Sequence, residues 1–529
     1  MADPLFLPLG ISDFSTLRNG KQIYVDKTKF VYELARLQRK FFLARPRRFG
    51  KSLLLSTFES LFKFGLRDFR GLAIEKLWTE DKKYQVVRLD FSECKSFDSL
   101  EVFSQQLDCL LRNNFGPLGF VYRNDGTTVC SQLSRWLKTI ASGSMVILID
   151  EYDAPLTTCL NNAELFDNVR STMATFYSVL KSNDAVIRFL FMTGISKFNK
   201  VSIFSELNNL VDITLHPDYG TMLGYTLEEL HHYFGDFLEH ASEIMGIKKE
   251  NLVETLTRSY DGFCFDELAQ HKVFAPWSVL NFLSNPQLGF KNYWFESGGK
   301  PSILLQYMKS HSLRKPDFYA AQKSIQLAEL SGSSSMEGLS DVGLLTQAGY
   351  LTIKKVEYGT AFLGFPNSEV QSSMAQLYTE QLLGGRSIVQ AGAGGLITEL
   401  IRGNTEEVFH LLNKAFLGID YTKYCIGDES MIRTFVQLFL SSFGLQTGVE
   451  VHNNKGRSDL ELRAGERHWV FEFKVCRADE NEETKLNEAV FQILDKDYGL
   501  QHKVNYLTRV AMVYSIEKRK FVKWKAVPN

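Results

Sequence analysis

Short apolar runs alternate with helix-like segments in the first part of the chain. The strand-like runs lie at 41–44, 86–90, 145–149 and 186–192. Apolar residues with helical spacing follow Lys51 and recur at 98–114, 129–140 and 164–182. Strands that alternate with helices predict a parallel α/β sheet, and nearly continuous apolar strands predict burial on both faces.

The pattern changes twice further along the chain. From about Thr226 it becomes helical and aromatic, and 331–335 and 392–395 are rich in small residues, which is typical of loops. Beyond them we predict helices at 397–416 and 428–443, then strands near 447–452, 459–463, 468–475 and 507–514. We therefore predict an α/β domain over 1–225, a mainly helical lid or connector over 226–395, and a second α/β domain over 396–529.

Composition narrows the class of protein. A chain of 529 residues is too long for one hydrophobic core. The formal net charge of -1 gives no global attraction to nucleic acid, so such a site needs a local basic patch. The seven cysteines include no C-x-x-C pair, which favours a reducing compartment over a disulfide framework or a zinc knuckle. We see neither a signal peptide nor a membrane-spanning run, and we expect a cytoplasmic protein.

A phosphate-binding loop is predicted between the first strand and the helix after it. The segment reads Arg45-Pro46-Arg47-Arg48-Phe49-Gly50-Lys51-Ser52. Gly50, Lys51 and Ser52 supply the end of a P-loop, with an amine for the phosphates and a hydroxyl for magnesium. Arg45 replaces the usual first glycine, which makes the loop stiffer and more cationic. The alternative is an ordinary Gly-Lys-Ser turn.

Two carboxylates end the apolar strand at 145–149. Asp150 would hold magnesium and Glu151 would orient the attacking water, unless both only solvate the end of a strand. An adjacent glutamate is typical of P-loop ATPases with a strand inserted between the two motif strands, and 86–90 is one candidate for that strand. Thr193 is the first choice for a γ-phosphate sensor and Ser196 the second, against a simple Thr-Gly turn.

A metal-dependent phosphodiesterase site is predicted near the end of the chain. Asp459 begins one strand, and Glu472 and Lys474 alternate on the next, so both project from one face while Phe471 and Phe473 face the other. Carboxylates with a nearby lysine suit hydrolysis assisted by Mg²⁺ or Mn²⁺. The alternative is an exposed strand with an ordinary Glu/Lys pair.

Three further features are candidates to complete this site. Glu429 starts an amphipathic helix and would add a metal ligand, while Gln492 would position water or a phosphate. Either residue is as readily explained as part of a helix surface. The alternating basic residues at 518–525 suit a phosphate backbone or, slightly better, a solvated edge strand.

Many short motifs along the chain resemble one family. They are Tyr24-Val25-Asp26-Lys27-Thr28, the Arg45–Ser52 loop, Leu148-Ile149-Asp150-Glu151-Tyr152-Asp153-Ala154-Pro155, Thr193-Gly194-Ile195-Ser196-Lys197, Tyr260-Asp261-Gly262-Phe263, Pro276-Trp277-Ser278, Tyr293-Trp294-Phe295, Gly349-Tyr350-Leu351-Thr352 and Phe365-Pro366-Asn367-Ser368-Glu369-Val370. The chain resembles bacterial and archaeal proteins that join an AAA-ATPase-like domain to a PD-(D/E)XK nuclease-like domain. The arginine-rich loop is this family's own form of the phosphate motif.

The residue patterns and the resemblance together give the expected roles of residues at both sites. The residues expected to bind ATP are Arg45, Arg47, Arg48, Phe49, Gly50, Lys51, Ser52, Asp150 and Thr193. The expected catalytic residues are Glu151, Asp459, Glu472, Lys474 and Gln492. The expected metal ligands are Ser52 and Asp150 at one site and Glu429, Asp459 and Glu472 at the other. Ser458 stands where the nuclease pattern has a proline.

The leading hypothesis is an ATP-binding, ATP-regulated nuclease that cuts DNA, in defence against foreign DNA. The alternatives are a nucleotide-dependent switch or scaffold, and a remodelling ATPase, whose last domain binds nucleic acid without cutting. We also expect a homo-oligomer, because ATPases of this class often complete the site with a neighbour's arginine. The sequence does not choose among Arg47, Arg48, Arg170 and Arg188 for that arginine.

Overall fold

A computed structural model of the chain describes residues 5–197, 207, 209–295, 323–330, 341–421, 423–502 and 504–528. The chain divides into two compact units, Met1–Asn367 and Ser368–Asn529. This division falls inside the segment 226–395, which the sequence assigned to one connecting region. The part of that segment after Asn367 therefore packs within the second unit.

Strands and helices alternate in the first part of the first unit. They are α1 Phe14–Asn19, α2 Thr28–Ala35, β1 Lys40–Ala44, α3 Lys51–Phe64, β2 Gln85–Asp90, α4 Leu100–Phe115, α5 Val129–Leu137, β3 Met145–Asp150, α6 Ala154–Thr158, α7 Ala163–Ser182, β4 Ile187–Gly194 and β5 Leu210–Asp212. The strands and helices predicted between 41 and 192 are all confirmed. The short strand β5 was not predicted.

The five strands form one parallel sheet in the order β2-β3-β4-β1-β5. Strand β4 therefore lies between β1, which leads into the predicted phosphate loop, and β3, which ends in the two carboxylates. The proposal that 86–90 is an intervening strand was wrong, because β2 is the edge strand beyond β3. Its partly exposed residues fit an edge, whereas β4 is buried along nearly its whole length.

Helices predominate in the described part of 226–367, as predicted. They are α8 Leu227–Met245, α9 Lys249–Tyr260, α10 Pro276–Ser284, α11 Leu327–Leu330 and α12 Asp341–Gln347. The sequence missed a small sheet of three strands, β6 Lys323–Gln326, β7 Thr352–Glu357 and β8 Thr360–Gly364. Each strand is short and only partly buried, so it leaves a weak apolar signal. The loop predicted at 331–335 lies outside the described residues.

A capping box starts α8 and ties it to the N-terminal segment. The Thr226 hydroxyl accepts from the Glu229 N–H at 3.2 Å, and the Glu229 carboxylate accepts from the Thr226 N–H at 2.8 Å. The same carboxylate lies 2.6 Å from the Lys27 amine. This ion pair holds the segment before α2 against the start of α8.

The second unit is a mixed sheet with helices around it. Its elements are α13 Ser368–Leu382, α14 Leu396–Arg402, α15 Thr405–Leu417, α16 Glu429–Ser442, β9 Thr447–His452, β10 Arg457–Ala464, β11 Arg467–Cys476, α17 Glu482–Asp495, β12 Tyr506–Ser515 and β13 Lys520–Val527. The strand order is β13-β12-β11-β10-β9, with only β11 and β12 parallel. Helix α17 packs Leu486, Ala489 and Ile493 against Val470 and Val513 of the sheet.

Two details differ from the predicted pattern in this unit. The helix predicted over 397–416 is two helices, because Gly403 has a φ of 80° and ends α14. The glycine-rich stretch at 392–395 overlaps a π-helical turn, Val389–Ala393. The predicted α/β class of the unit is confirmed.

Candidate functional sites

The loop between β1 and α3 leads into the open N-terminus of a helix. Gly50, directly before α3, has a φ of 92°, which residues with a Cβ rarely adopt. Among the described residues no side chain caps α3, and its first turn contains no acidic residue. The unpaired N–H groups of that turn therefore favour an anion.

The amine of Lys51 is buried and folds back on this loop. Its Nζ donates to the backbone oxygens of Arg45 at 2.9 Å and Pro46 at 3.0 Å. Burial lowers the pKa of Lys51, while the carboxylates of Asp150 and Asp153 act in the opposite direction. A buried ammonium on neutral carbonyls gains from an added anion, so a phosphate group suits this position.

The side chain of Arg45 is not directed at that position. It is 1% exposed, and it donates to the backbone oxygens of Ala44, Thr214 and Tyr219. Its Cζ also lies 4.4 Å from the centre of the Phe265 ring. The sequence placed Arg45 among the ATP-binding residues, but a buried guanidinium needs acceptors, and here backbone carbonyls supply them. Burial lowers its pKa to about 9. Arg45 anchors the start of the loop.

Phe49 and Arg48 hold the loop from another side. The Phe49 ring is buried edge-on against Phe263 and Phe265, with centroid distances of 4.9 and 5.1 Å. The Arg48 guanidinium lies 4.2 Å from the centre of the Trp277 ring. Phe49 therefore fixes the shape of the loop, whereas Arg48 lies at the cavity described next.

A cavity of about 550 Å³ opens beside the loop. The charged and hydroxyl-bearing residues of its lining include Arg47, Arg48, Lys51, Ser52 and Glu151. The apolar and aromatic residues of its lining include Ile23, Tyr24, Val25, Leu223, Tyr225 and Trp277. A lining that combines cationic with apolar groups suits the phosphates and the base of a nucleotide. The sequence did not predict these apolar lining residues, since they resemble core positions and lie far apart in the chain.

Asp150 and Thr193 meet at the carboxyl ends of β3 and β4. The Thr193 hydroxyl donates to Asp150 Oδ1 at 2.7 Å, and Arg88 Nη2 lies 3.7 Å from Oδ2. Both Asp150 and Thr193 are buried. Glu151 has a φ of 46°, a strained value for a residue with a Cβ. The inserted strand thus places Thr193 where the sequence expected a polar residue, and its hydroxyl orients the Asp150 carboxylate.

The sequence reading gave no role to Asp153, which joins the ends of the same two strands. Its carboxylate accepts from the backbone N–H groups of Ile195, at 3.1 Å, and Ser196, at 2.8 Å. The Tyr152 hydroxyl donates to the Ser196 carbonyl at 2.9 Å. Ser196, the second choice for a phosphate sensor, is therefore engaged through its backbone. The sequence feature that points to this role is the position of Asp153 just after Asp150 and Glu151.

Asp153→Asn is expected to change how stability depends on pH. Burial raises the pKa of Asp153 from 3.8 to about 6, so the folded chain binds this proton more tightly than the unfolded chain. The parent therefore loses up to about 3 kcal/mol of stability as the pH rises through this window, and the asparagine variant does not. Calorimetric unfolding between pH 4 and 7 measures the difference. The exposed Asp167→Asn is the control, and parallel pH profiles for parent and Asp153→Asn would refute the assignment.

Two arginines considered for a neighbour's site differ in availability. Arg188 is buried and donates to the carbonyls of Ala35 and Leu37 at 3.0 and 3.1 Å. A buried, fully engaged side chain cannot reach another copy of the chain, so Arg188 is unsuited to that role. Arg170 is partly exposed on α7 and lies 3.2 Å from Asp167.

In the second unit, Asp459, Glu472 and Lys474 converge as their spacing predicted. Lys474 Nζ lies 2.9 Å from Glu472 Oε1, and Asp459 Oδ2 accepts from the Phe473 N–H at 2.8 Å. Glu429, the first residue of α16, places its Oε2 3.8 Å from Lys474 Nζ. Three carboxylates from three elements thus surround one ammonium group.

Burial and mutual repulsion shift the charges of this cluster. Burial, followed by the nearby Asp459 carboxylate, raises the pKa of Glu472 to about 7. Burial also raises the pKa of Asp459. For Lys474 burial acts to lower the pKa, but the carboxylates of Glu472, Glu429 and Asp459 together outweigh it and the pKa is raised. The carboxylates outnumber the nearby ammonium, so the site favours an added cation.

One oxygen of Glu472 carries the strongest sign of a metal site. Glu472 is 1% exposed, and its Oε2 has no hydrogen-bond partner among the described residues. Burying a carboxylate oxygen without a hydrogen-bond donor costs desolvation free energy, and a bound divalent cation would offset that cost. Oxygen donors of this kind suit Mg²⁺ or Mn²⁺. The residues present therefore fit the ion that the sequence predicts.

Gln492 and Arg433 are the remaining polar residues to consider. Gln492 Nε2 donates to the Tyr498 hydroxyl at 3.2 Å, a contact at the end of α17. Arg433, which the sequence reading missed, lies 2.9 Å from Glu450 Oε1 and 3.9 Å from Asp459 Oδ1. The sequence feature that could have identified Arg433 is its position four residues after Glu429, which puts both side chains on one face of α16.

Two of the basic residues at 518–525 pair with acidic residues of α17. Lys518 lies 2.7 Å from Glu482, and Lys523 lies 2.9 Å from Glu483, both in the first turn of α17. Strand β13 is an edge strand. These pairs favour the edge-strand interpretation over a free cationic face.

Among the described helices, none is long and apolar enough to cross a membrane.

Comparisons with known proteins agree with this architecture. Residues 8–204 match a family model described as a predicted AAA-ATPase, and residues 427–524 match a model of the PD-(D/E)XK nuclease superfamily. An uncharacterized protein in the vnfD 5' region of Azotobacter chroococcum is 30% identical over 503 residues, which cover 93% of each chain.

Two solved structures resemble parts of the chain. Cdc6p from Pyrobaculum aerophilum has 8% identity and a TM-score of 0.26, over 68% of this chain and 97% of its own. The Aeropyrum pernix ORC2 protein has 12% identity and a TM-score of 0.26, over 71% and 98%. Both family matches and the near full-length relative lead to one conclusion: the chain belongs to the family that joins a predicted AAA-ATPase domain to a PD-(D/E)XK nuclease domain.

Proposed function

We propose that the chain is an ATP-regulated nuclease that needs a divalent metal and cleaves DNA. Domains of an ATPase class and of a nuclease superfamily on one chain support a nucleotide-dependent nuclease in general. DNA as substrate and regulation by ATP are the finer parts of the proposal. The arrangement of residues at each site supports them as follows.

At the nuclease site, Asp459 and Glu472 would hold Mg²⁺ or Mn²⁺, with Glu429 as a further ligand. The bound ion would make water a better nucleophile and polarise the phosphodiester. Lys474 is oriented by its 2.9 Å contact with Glu472, so its ammonium is held ready to balance phosphate charge. The Phe473 N–H fixes the Asp459 carboxylate, which limits the reorganisation of the site.

At the nucleotide site, Lys51 and the first N–H groups of α3 would bind the phosphates of ATP. Ser52 and Asp150 would hold magnesium, and Glu151 would orient water. Thr193 keeps the Asp150 carboxylate in one orientation through its 2.7 Å hydrogen bond. The apolar and aromatic lining residues of the cavity would contact the base. We also propose a homo-oligomer in which a neighbour's arginine completes this site.

Thr193→Val is expected to weaken magnesium binding at the nucleotide site, so that ATP binding needs more magnesium, while metal-free ATP binding is preserved. Valine keeps the buried shape but loses the hydrogen bond to Asp150. Hydrogen bonds to charged groups are worth about 1.5–3 kcal/mol, which predicts a magnesium requirement raised about tenfold or more. Titration of magnesium against binding of a fluorescent ATP analogue measures it, with the exposed Thr175→Val as control. An unchanged magnesium curve for Thr193→Val would count against this role.

The buried Oε2 of Glu472, which has no hydrogen-bond partner in the described part of the chain and lies beside Asp459 and Lys474, is the observation that carries the proposal. The direct test incubates the full chain with supercoiled plasmid and single-stranded DNA, with Mg²⁺ or Mn²⁺, with and without ATP. We expect cleavage that requires the metal and whose rate changes with ATP. DNA binding without cleavage under every condition would instead support the scaffold.

A further inference from the structure

A second cluster of metal-ligating side chains lies in the C-terminal unit. It consists of Glu461 on β10, His468 on β11, and His502 in the segment between α17 and β12. The ligand atoms of all three residues lie within 4.8 Å of one another. The function proposed above uses none of them.

The two histidines converge on one oxygen of the glutamate. His468 Nε2 lies 2.9 Å and His502 Nε2 lies 2.7 Å from Glu461 Oε2. The two ring centroids are 4.1 Å apart. If only hydrogen bonds held these side chains together, both histidine rings would have to donate an Nε2–H to the same carboxylate oxygen, Glu461 Oε2. Convergence of two imidazole nitrogens and a carboxylate oxygen on one point is the arrangement of a metal site.

The carboxylate is held in place by a residue outside this trio. The Ser458 hydroxyl donates to Glu461 Oε1 at 2.7 Å, which leaves Oε2 for the histidines. Glu461 is 3% exposed, whereas His468 and His502 are partly exposed. A hydrogen-bonded carboxylate with fixed orientation is typical of metal ligands, and the partly exposed rings leave a path for the ion.

The ligand set selects the kind of ion. Two imidazoles and one carboxylate suit a borderline ion such as Zn²⁺, while magnesium prefers oxygen alone. Ligands of a tetrahedral zinc at bond lengths of about 2.0–2.2 Å are about 3.3 Å apart. The observed separations of 2.7 and 2.9 Å therefore need only a few tenths of an ångström of widening.

We propose that Glu461, His468 and His502 bind one Zn²⁺-class ion, separate from the metal at Asp459 and Glu472. Glu461 lies two residues beyond Asp459 on β10, so the two sites share a face of the hairpin and differ in their donor atoms. The ion ties β10 and β11 to the segment that enters β12. His468 and His502 are 7 and 41 residues from Glu461 in sequence, so the ion would join segments that are distant in the chain. Because the folded unit brings the three ligands together, the bound ion adds stability to it.

The test titrates Zn²⁺ into the full chain after treatment with chelator, in excess Mg²⁺ to occupy the all-oxygen sites. We expect one equivalent of zinc to bind and to raise the unfolding temperature. His468→Ala and His502→Ala are expected to lose at least about 10–100-fold in zinc affinity, and Ser458→Ala to lose about tenfold. The exposed His410→Ala and the neighbouring Glu472→Gln are expected to bind zinc like the parent.

A second measurement covers the case in which a histidine variant does not fold. Cobalt added to the chelator-treated parent should give the visible absorption of a site with nitrogen ligands, and His468→Gln and His502→Gln, of similar size, should lose it. The proposal fails if the parent binds no zinc in excess magnesium. It also fails if the histidine variants keep the parent's affinity, or if Glu472→Gln abolishes zinc binding.

Discussion

We expect Glu472→Gln to remove metal-dependent DNA cleavage and to leave ATP binding intact. The amide has nearly the shape of the carboxylate but lacks its negative charge. The buried site therefore no longer balances the positive charge of a divalent cation. Loss of electrostatic stabilisation at a reacting centre typically costs at least about a hundredfold in rate, and we expect the rate to reach background. Time courses of plasmid nicking at saturating Mn²⁺ measure it.

The control for this variant is Glu466→Gln, an exposed residue in the turn of the same hairpin. It makes the same chemical change outside the site and is expected to cleave like the parent. The pH profile is a further check. Because the pKa of Glu472 is raised to about 7, protons compete with the metal below that pH. At low metal concentration the parent's cleavage therefore falls as the pH drops below about 7. Cleavage by Glu472→Gln at the parent's rate would contradict the assignment.

We expect Lys51→Met to abolish ATP binding. Methionine fills the buried space of the lysine stem but carries no ammonium for the phosphates. The loss of charge-assisted hydrogen bonds, each worth about 1.5–3 kcal/mol, lowers ATP affinity by at least about two orders of magnitude. Isothermal titration with ATP and magnesium measures the affinity.

Lys63→Met is the matched control, because Lys63 lies at the far end of the same helix and pairs with Glu59 at 2.6 Å. It should bind ATP like the parent, and both variants should unfold near the parent's temperature. ATP affinity of Lys51→Met within a few-fold of the parent's would remove Lys51 from the nucleotide site.

The sequence predicted strands β1 to β4 of the first unit because each is a short apolar run followed by a turn or a helix. It did not predict their order in the sheet. The order depends on which strands pair, and an apolar run such as 86–90 fits an edge or a central position until its neighbours are known. The position of β4 between β1 and β3 emerged only from the structure.

Site residues were predictable where local spacing sets their geometry. Glu472 and Lys474 share a face because strand residues alternate, and the gap to Asp459 matches one hairpin. The direction of the Arg45 side chain depends instead on the carbonyls of Thr214 and Tyr219, far away in sequence. The trio of Glu461, His468 and His502 was missed for the same reason, since no local spacing connects His502 to the hairpin.

We propose that ATP held at Lys51 regulates cleavage at Glu472. The most direct test of this regulation is one plasmid-cleavage experiment on the parent, Lys51→Met and Glu472→Gln, each with and without ATP. We predict that the parent's rate changes with ATP, that the Lys51→Met rate does not, and that Glu472→Gln shows background cleavage in both conditions. An equal response to ATP in the parent and Lys51→Met, or parent-like cleavage by Glu472→Gln, would contradict ATP-regulated cleavage at this site.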